Sequence, residues 1–405
     1  MSKAPLTGLK VVDFSVFVAA PVAACSLGAM GADVIKVEPI KGDPYRTGGL
    51  VFGMPAEDGL NPLYDTVNSY KRFISLDLRT QEGQEAMKKL LAETDVFVTN
   101  YRPAALAGIG IDYENIKKIN PRIIYAQMNG YGFKGEEKDR AGYDSTAFMS
   151  RSGYSFLGAY TKSAPMITPA AAGDVMAAYA LLAGIMGAIV KMKETGEGEH
   201  VTTSLYASAV WALASPLTRY QFMECKDSWP GNPDFMALSA DYQCKDGRWV
   251  RFCSMGAEKS WPPTCNALGL NEYLDDPRFN TSVEILKNTE ACYALIQSKV
   301  KEKTFEEWKP IFEANDLAFE KIYLPQEVVK DEQALVNGIF DDAEYKDGVK
   351  VKLAAIPFKY DNCDLAERRL APPVGGDTRE ILTEAGYSAE QIEDMIARKI
   401  ARTDG

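Results

Sequence analysis

The sequence predicts an α/β protein with a doubly wound, mostly parallel sheet of the Rossmann-like kind. Short segments rich in Val, Ile and Phe alternate with helical stretches through the first half of the chain. This alternation is typical of parallel strands with helices on both faces of the sheet. The 405 residues also exceed what a single core usually holds, so we expect a second, smaller domain.

The first elements follow each other in the order strand, helix, strand. The segments that predict strands are GLKVVDFS, DVIKVEP, RFISLDL, DVFVTN and PRIIYAQMNGYG. The segments that predict helices between them include APVAACSLGAMGA and TQEGQEAMKKLLAET. In a doubly wound sheet, ligands bind beyond the carboxyl ends of the strands, which is where we expect the site.

The pattern changes near residue 225, and three segments are predicted. Residues 1–224 form the first part of a large α/β domain. Residues 225–325 form a small α+β domain, in which KDG joins two strands and Thr304 and Glu307 have the spacing of a helix capping box. Residues 326–405 contain a further strand and a helix pair, and we expect them to return to the large domain.

Composition and charge exclude several classes of protein. Hydrophobic residues make up 46% of the chain and charged residues 25%, as in an ordinary globular protein. The net charge of −11 provides no basic field, so no nucleic-acid partner is expected. An anionic ligand would have to be bound by local basic groups or by helix N-termini.

Neither a metal site nor a histidine-based mechanism is predicted. The seven cysteines include no C-x-x-C pair, and His200 is the single histidine, so it is expected to be a surface or loop residue. Free thiols suit a reducing cytoplasm. The N-terminus lacks the apolar stretch of a signal peptide, and the apolar run from Val175 to Val190 falls short of the roughly 20 residues that span a membrane. We therefore expect a cytoplasmic, soluble protein.

Asp174 is the most informative residue, because it is a charge at the start of the small apolar run AAAGDVMAAYALLAG. One interpretation is that Asp174 is the N-cap of the following helix, which stabilises a helix by about 1 kcal/mol. The other is that it is a nucleophilic carboxylate supported by the helix N-terminus. The local sequence leaves both open.

The sequence features that could indicate a phosphate-binding site are less specific than the placement of Asp174. The glycines of LGAMGADVIK lack the G-x-G-x-x-G spacing and follow the first helix, so a nicotinamide cofactor is not expected. Arg79 and Arg102 follow predicted strands and therefore lie in the zone where phosphate groups bind. Ordinary surface charge is the alternative for each of them.

Taken together, these segments resemble the class III CoA-transferase family. The resemblance runs over nearly the whole chain and rests on the order and spacing of several motifs. They are GLKVVDFSVFVAAPVAACSLGAMGADVIKVEPIKGDPYR, NSYKRFISLDLRTQEGQE, DVFVTNYRPAALAGIGIDYENIKKINPRIIYAQMNGYGFKG, AGYDSTAFMSRSG, AAAGDVMAAYALLAGIMGAIVKMKETGEGEHV and APPVGGDTREIL.

The resemblance implies that Asp174 is the nucleophile. Its carboxylate would attack an acyl-CoA to give a mixed anhydride, which the CoA thiolate would convert to an aspartyl-CoA thioester. CoA thioesters are then substrates, and no permanently bound cofactor or metal is implied. The family architecture also implies an interlocked homodimer with the small domain inserted into the large one.

The resemblance also assigns contacts with CoA. The implied residues are Phe17, Val18, Ala19, Leu76, Arg79, Asn100, Tyr101 and Leu205, with Arg102 and Lys138 as candidates for phosphate contacts. The chain departs from some relatives in having Val18 in place of glutamine and Pro39 in place of arginine. The segment SMGAEKSW does not match their glycine-rich flap.

Within the family, the motifs are most similar to the branch that serves amino-acid fermentation, whose acceptors are 2-hydroxy acids such as phenyllactate or 2-hydroxyisocaproate. Bile-acid and carnitine-type transferases are the nearest alternatives. Acyl-CoA racemases or isomerases of the same fold use a histidine where this chain has Tyr143, which is a poor base at neutral pH. An apolar acyl pocket, with core packing as the alternative, is predicted from Phe148, Met149, Tyr154, Met166 and Trp211.

Overall fold

The computed structural model describes residues 3–158, 169–222, 236–254 and 256–404. These residues form two compact units. One takes its described residues from Met1–Tyr154, Ile167–Cys225 and Leu335–Gly405, and the other from Ser155–Met166 and Lys226–Ala334.

The strands of the described residues are numbered in chain order. They are β1 (Lys10–Phe14), β2 (Asp33–Glu38), β3 (Arg72–Leu76), β4 (Val96–Thr99), β5 (Ile124–Asn129), β6 (Glu199–Ser204), β7 (Asp241–Gln243), β8 (Trp249–Phe252), β9 (Phe319–Lys321), β10 (Phe340–Glu344), β11 (Lys350–Ala354) and β12 (Ala401–Arg402).

The α-helices are numbered in the same way. They are α1 (Ala19–Ala29), α2 (Pro62–Asn68), α3 (Gln81–Ala92), α4 (Pro103–Gly108), α5 (Tyr113–Ile119), α6 (Tyr154–Leu157), α7 (Ala172–Thr195), α8 (Leu205–Ala212), α9 (Ala214–Arg219), α10 (Ala257–Leu268), α11 (Ser282–Lys287), α12 (Thr289–Val300), α13 (Phe305–Ala314), α14 (Pro325–Val328), α15 (Glu332–Val336), α16 (Thr378–Glu384) and α17 (Ala389–Ala397).

Seven strands form the main sheet in the order β12-β3-β2-β1-β4-β5-β6. All pairs are parallel except β12 with β3, so the predicted mostly parallel sheet is confirmed. Strand β1 has β2 on one side and β4 on the other, which makes it the point where the winding reverses. The loops that follow β1 and β4 therefore diverge and leave a crevice at the carboxyl edge of the sheet.

Helices cover both faces of this sheet, because successive side chains of a strand point to opposite faces. Val11 belongs to a core formed with α1, α7 and α8, whereas the neighbouring Val12 belongs to a core formed with α3, α4, α5, α16 and α17. Burial on both faces explains why four of the five residues of β1 are buried.

Helix α7 is 24 residues long and, by length and composition alone, apolar enough to cross a membrane. Its small residues instead let it approach α1 and the sheet closely: a Cβ at Gly184 would lie 2.7 Å from a methyl group of Val201 in β6. Leu181 and Ile185 are buried in the same core as α1. This packing is that of the core helix of a globular domain.

The second unit contains a three-stranded antiparallel sheet, β7-β8-β9, with helices α10 to α13. Its core includes the buried side chains of Trp261, Phe312 and Tyr242. The predicted capping box is present at the start of α13, where Thr304 and Glu307 exchange hydrogen bonds. The turn at KDG joins β7 to β8, as the sequence predicts.

Candidate active site

A cavity of about 230 Å³ lies at the carboxyl edge of the main sheet, where the winding reverses. Its walls come from the loops after β1, β4 and β5 and from the first turn of α7. Of the predicted site residues, those that line it are Asp174, Phe17, Val18, Ala19, Asn100, Tyr101, Arg102, Lys138 and Leu205.

Leu76 and Arg79 lie elsewhere, in a second cavity of about 390 Å³ at the ends of β1, β2 and β3. Phe14, Pro39 and Lys41 also line this second cavity. The Arg79 side chain is 87% exposed and pairs with Asp77 at 2.7 Å. The structure thus divides the predicted binding residues between two cavities of the same unit.

The loop after β1 is held from two sides. The Asn100 side chain accepts a hydrogen bond from the Val16 N–H at 3.0 Å and donates to the Val16 carbonyl at 2.7 Å. The Asp43 carboxylate accepts one from the Phe17 N–H at 3.4 Å. Phe17 has a φ of 63°, which costs free energy for a residue with a side chain and needs such support.

A buried charge network lies beneath this loop. The Lys36 ammonium is 3.1 Å from the Asp43 carboxylate and donates to the Ser15 carbonyl at 2.9 Å. Lys71 donates to the Asp13 carboxylate at 2.8 Å. Burial opposes the ionisation of Asp13, but the two lysines outweigh it and lower the Asp13 pKa. A fully buried network of this kind is costly to disrupt, which keeps the loop in one position.

Asp174 is the third residue of α7, so the prediction that it caps the helix is wrong. The N-cap position is occupied by Ala171, whose φ of 69° is left-handed. Helix α7 therefore begins earlier than Gly173 suggests, and the Asp174 side chain projects from the first turn. It accepts no hydrogen bond from any described residue and lines the cavity.

The Asp174 carboxyl group is half-buried, and its proton affinity is high. Burial raises its pKa from an ordinary value of 3.8 to about 7, and the negative charge of Asp144 adds to the rise. A carboxyl group with this pKa titrates near neutral pH and is a stronger base than an exposed aspartate. It is suited to nucleophilic attack in a closed site.

The sequence did not predict the contact between Asp144 and α7. Asp144 begins a π-helical turn, Asp144–Ser150, and its two carboxylate oxygens accept the N–H groups of Ala171 and Asp174, each at 3.1 Å. The signal was the dipeptide Tyr143-Asp144, whose aspartate is the first residue of the helical turn. Nothing in the local sequence shows that its partner lies about 30 residues later.

Aromatic side chains surround the mouth of the cavity. The Phe17 ring makes edge contacts with Tyr45 and with Tyr143, both at 6.4 Å between centroids. Tyr143 lines the cavity. Burial raises the pKa of Tyr45, and the nearby charge of Asp174 contributes to this shift. The Tyr45 hydroxyl is therefore a neutral hydrogen-bond donor near the carboxylate at physiological pH.

Three cations line the same cavity, although the chain as a whole is acidic. Arg140 lies over the Tyr131 ring and pairs with Glu137. Arg102 and Lys138 have no ion-pair partner among the described residues, so their charge is available to an anion. Such local charge is what an acidic protein needs in order to bind phosphate or carboxylate groups.

The predicted acyl pocket is not formed as proposed. Phe148 and Met149 are buried in the core against α7, while Trp211 on α8 is 83% exposed. Tyr154 packs against the same core, and Met166 lies outside the described residues. The alternative interpretation, core packing, is correct for Phe148, Met149 and Tyr154. Packing between the π-helical turn and α7 takes their apolar surface away from the cavity.

His200 is not among the residues that line this cavity. It lies in β6 rather than in a loop, and its ring stacks on Tyr113 with centroids 4.4 Å apart. Burial lowers its pKa, so the imidazole is neutral at physiological pH. No cluster of His, Cys, Asp and Glu suited to a metal ion occurs among the described residues.

The fold and the cavity define a class of protein: a doubly wound enzyme with a carboxylate at the switch point and cations for an anionic substrate. The comparisons are more specific. The model of CoA-transferase family III matches residues 6–378, so the chain belongs to this family.

Curated relatives match over almost the full length. The chain is 37% identical to (R)-2-hydroxy-4-methylpentanoate CoA-transferase of Clostridioides difficile, over 98% of this chain and 99% of that one. It is 34% identical to cinnamoyl-CoA:phenyllactate CoA-transferase of Clostridium sporogenes, over 96% and 95%. A CAIB/BAIF family protein from Brucella suis has a similar solved structure, with a TM-score of 0.81, 27% identity and coverage of 95% and 100%.

Proposed function

We propose that this protein transfers CoA from an acyl-CoA donor to a free 2-hydroxy acid of amino-acid fermentation, with Asp174 as the nucleophile. The observation that carries the proposal is a half-buried carboxyl group with a pKa of about 7, which accepts no hydrogen bond from a described residue and faces a cavity lined by unpaired cations. The names of two relatives support a 2-hydroxy acid as the acceptor.

The first half-reaction moves CoA onto the protein. A carboxylate oxygen of Asp174 forms a bond with the carbonyl carbon of the donor thioester, and the C–S bond breaks with its electron pair on sulfur. The thiolate then attacks the Asp174 carbonyl carbon of the mixed anhydride. The donor acid leaves as a carboxylate, and Asp174 holds CoA as a thioester.

The second half-reaction runs the same steps in reverse with the acceptor. The acceptor carboxylate attacks the Asp174 thioester and releases the thiolate, which then attacks the acceptor carbonyl of the new anhydride. Acceptor-CoA and the Asp174 carboxylate result. No water enters, so the free energy of the thioester bond is kept.

Different parts of the CoA molecule bind in the two cavities. Arg102 and Lys138 bind phosphate groups, and Val18 and Ala19 at the start of α1 line the same cavity. Leu76 and Arg79 contact the far end of CoA in the second cavity. The remaining predicted contacts are Phe17, Val18, Ala19, Asn100, Tyr101 and Leu205.

The acceptor lies against Phe17 and Tyr143, because both rings line the cavity that contains Asp174 and make an edge contact with each other. Apolar contact with them favours a 2-hydroxy acid with an apolar side chain. Bile acids and carnitine, the acceptors of the alternative transferases, are the comparison substrates for this preference.

The test measures CoA transfer from cinnamoyl-CoA to phenyllactate or 2-hydroxy-4-methylpentanoate, in deuterated buffer. We expect the acceptor thioester to form without deuterium at its α-carbon. Deuterium at the α-carbon of a recovered thioester, without exchange between thioester and acid, would instead indicate a racemase or isomerase. CoA binding with neither reaction would leave a non-catalytic binding protein.

We further propose that residues 225–325 form a small domain inserted into a large one made of 1–224 and 326–405, and that two chains interlock as a homodimer in the cytoplasm. The two compact units of the described residues support the division. Exposed apolar side chains such as Val51, Trp211 and Phe222 support a partner surface. Light scattering that gives the monomer mass of 44.5 kDa would contradict the dimer.

A further inference from the structure

We propose that Asp144 is a positioning residue for Asp174. Its carboxylate accepts hydrogen bonds from the N-terminus of α7, so the Asp174 side chain remains without these partners. Its negative charge repels the Asp174 carboxylate and thereby favours the transfer of negative charge from Asp174 to the leaving thiolate. The inference rests on the proposed role of Asp174 as the nucleophile.

The start of α7 depends on Asp144 for hydrogen-bond acceptors. The N–H groups in the first turn of a helix have no partner within the helix, and a side chain just before the helix usually accepts from them. Here Ala171 is at that position and cannot accept. Asp144 supplies both oxygens from another element, to the N–H of Ala171 and to that of Asp174.

The contact between α7 and the π-helical turn is also constrained sterically. Gly173 lies so close to the π-helical turn that a Cβ there would be 2.3 Å from the Asp144 carboxylate and 2.4 Å from the Phe148 ring. The first turn of α7 is therefore clamped against Asp144 on one side and a buried ring on the other. Asp174 follows Gly173 directly, so this contact also sets where its side chain begins.

Asp144 also determines which hydrogen-bond donors are left for the Asp174 carboxylate. A carboxylate in the first turn of a helix would ordinarily be stabilised by the free N–H groups and the positive end of the helix. Asp144 already occupies them. Asp174 accepts no hydrogen bond from a described residue, so a free carboxylate oxygen is available for attack.

The charge of Asp144 also affects the movement of charge during the proposed reaction. Two carboxylates this close repel each other, and the repulsion raises the free energy of ionised Asp174. When Asp174 attacks a thioester, its charge is transferred to the sulfur, and the repulsion is relieved. Asp144 thereby destabilises the reactant carboxylate more than the anhydride, which increases the rate of attack.

Other groups facing Asp174 modulate this effect without removing it. Burial raises the pKa of Tyr45, so its hydroxyl is neutral at physiological pH, and Tyr143 lines the same cavity. The cations on the cavity walls are Arg102, Lys138 and Arg140, and Arg140 is already paired with Glu137. Burial and the charge of Asp144 are the two causes of the raised pKa of Asp174, so none of these cations cancels the repulsion.

The experiment compares the parent with Asp144→Asn, an amide of the same shape without the charge. After mixing with cinnamoyl-CoA, quenched samples are analysed for CoA or acyl groups on the Asp174 peptide, and kcat/KM is measured against pH. For Asp144→Asn we expect adduct formation to be about tenfold slower at pH 8. We also expect the rising limb of the plot of kcat/KM against pH to shift to lower pH by about 1 unit. Asp144→Ser, which can still cap the helix, is the second variant in case the first folds poorly.

The control is Ser388→Ala, which removes the N-cap of α17 on the surface of the same unit. We expect it to lower Tm by a few degrees while leaving the rate of adduct formation and the kinetic limb unchanged. If both Asp144 variants lower Tm but have the same pH dependence of kcat/KM and the same rate of adduct formation as the parent, Asp144 only caps the helix and the inference is wrong. If the parent itself forms no adduct on Asp174, the proposed function fails first, and the two failures are distinguishable.

Discussion

At the scale of single residues, the placement of Asp174 is unfavourable for stability and is consistent with the proposed reaction. A half-buried carboxyl group with a pKa of about 7 contributes less to folding than an exposed one would, because its ionised form is disfavoured. The side chain does not cap its helix, and it accepts no hydrogen bond from a described residue. Destabilising groups of this kind are retained where function requires them.

The substitution Asp174→Asn separates function from stability. We expect the rate of CoA transfer to fall by roughly 1,000-fold or more, because the covalent step is lost. We also expect the free energy of unfolding at pH 8 to rise by about 1–3 kcal/mol, because a disfavoured charge is removed. Chemical denaturation at pH 8 measures the second effect. A loss of about 1 kcal/mol would instead indicate a helix cap.

The pH dependence of stability and of activity should be opposite in sign. Because the folded-state pKa of Asp174 lies above its unfolded value of 3.8, the folded state binds the proton more tightly, and stability falls as pH rises between about 4 and 7. The nucleophile becomes ionised over the same range, so kcat/KM should rise along a limb near pH 7. Activity that stays flat from pH 5 to 8 would contradict the assignment.

At the scale of secondary-structure elements, the start of α7 depends on the π-helical turn Asp144–Ser150. The turn supplies the hydrogen-bond acceptor that Ala171 lacks, and the buried Phe148 ring packs where a side chain at residue 173 would stand. The requirement for glycine at position 173 is therefore one of space, not of backbone conformation.

A pair of glycine substitutions on α7 tests this packing. We expect Gly173→Ala to destabilise the protein by about 2 kcal/mol or more and to reduce transfer strongly, because its Cβ would overlap Asp144 and Phe148. Gly187→Ala is the matched control, because a Cβ there would have no atom within 4 Å. We expect alanine at this position to raise the free energy of unfolding by about 1 kcal/mol. Thermal denaturation and transfer assays are the measurements. Similar stability and activity in both variants would contradict the account.

At the scale of the whole molecule, the sequence predicted the sheet well and the site in part. Strands β1 to β5 were recognisable because each is a short apolar run bounded by breaks, a local property. The start of α7 was placed wrongly because the acceptor of its first N–H groups is about 30 residues away in sequence. The clamp of Asn100 on Val16 bridges 84 positions, and no local pattern encodes such a contact. The family resemblance located these residues without revealing what they touch.

Binding of CoA should stabilise the whole chain by mass action. With CoA at 100 times its Kd, we expect about 2.7 kcal/mol of stabilisation, seen as a higher Tm in the parent and in Asp174→Asn. Arg102→Ala and Lys138→Ala should weaken this effect, and added salt should weaken it further. Lys193→Ala, near the opposite end of α7 from Asp174, is the control. If Arg102→Ala, Lys138→Ala and Lys193→Ala all reduce the CoA-induced rise in Tm by the same amount, CoA does not bind in this cavity.

The most direct test of the central claim is mass spectrometry of the intact protein after brief incubation with cinnamoyl-CoA, followed by mapping of the peptide that contains Asp174. We predict a CoA thioester or acyl adduct on Asp174, which is absent in Asp174→Ala and is released when phenyllactate is added. Transfer from thioester to acid without any adduct on this peptide, or with an adduct on another residue, would contradict Asp174 as the nucleophile.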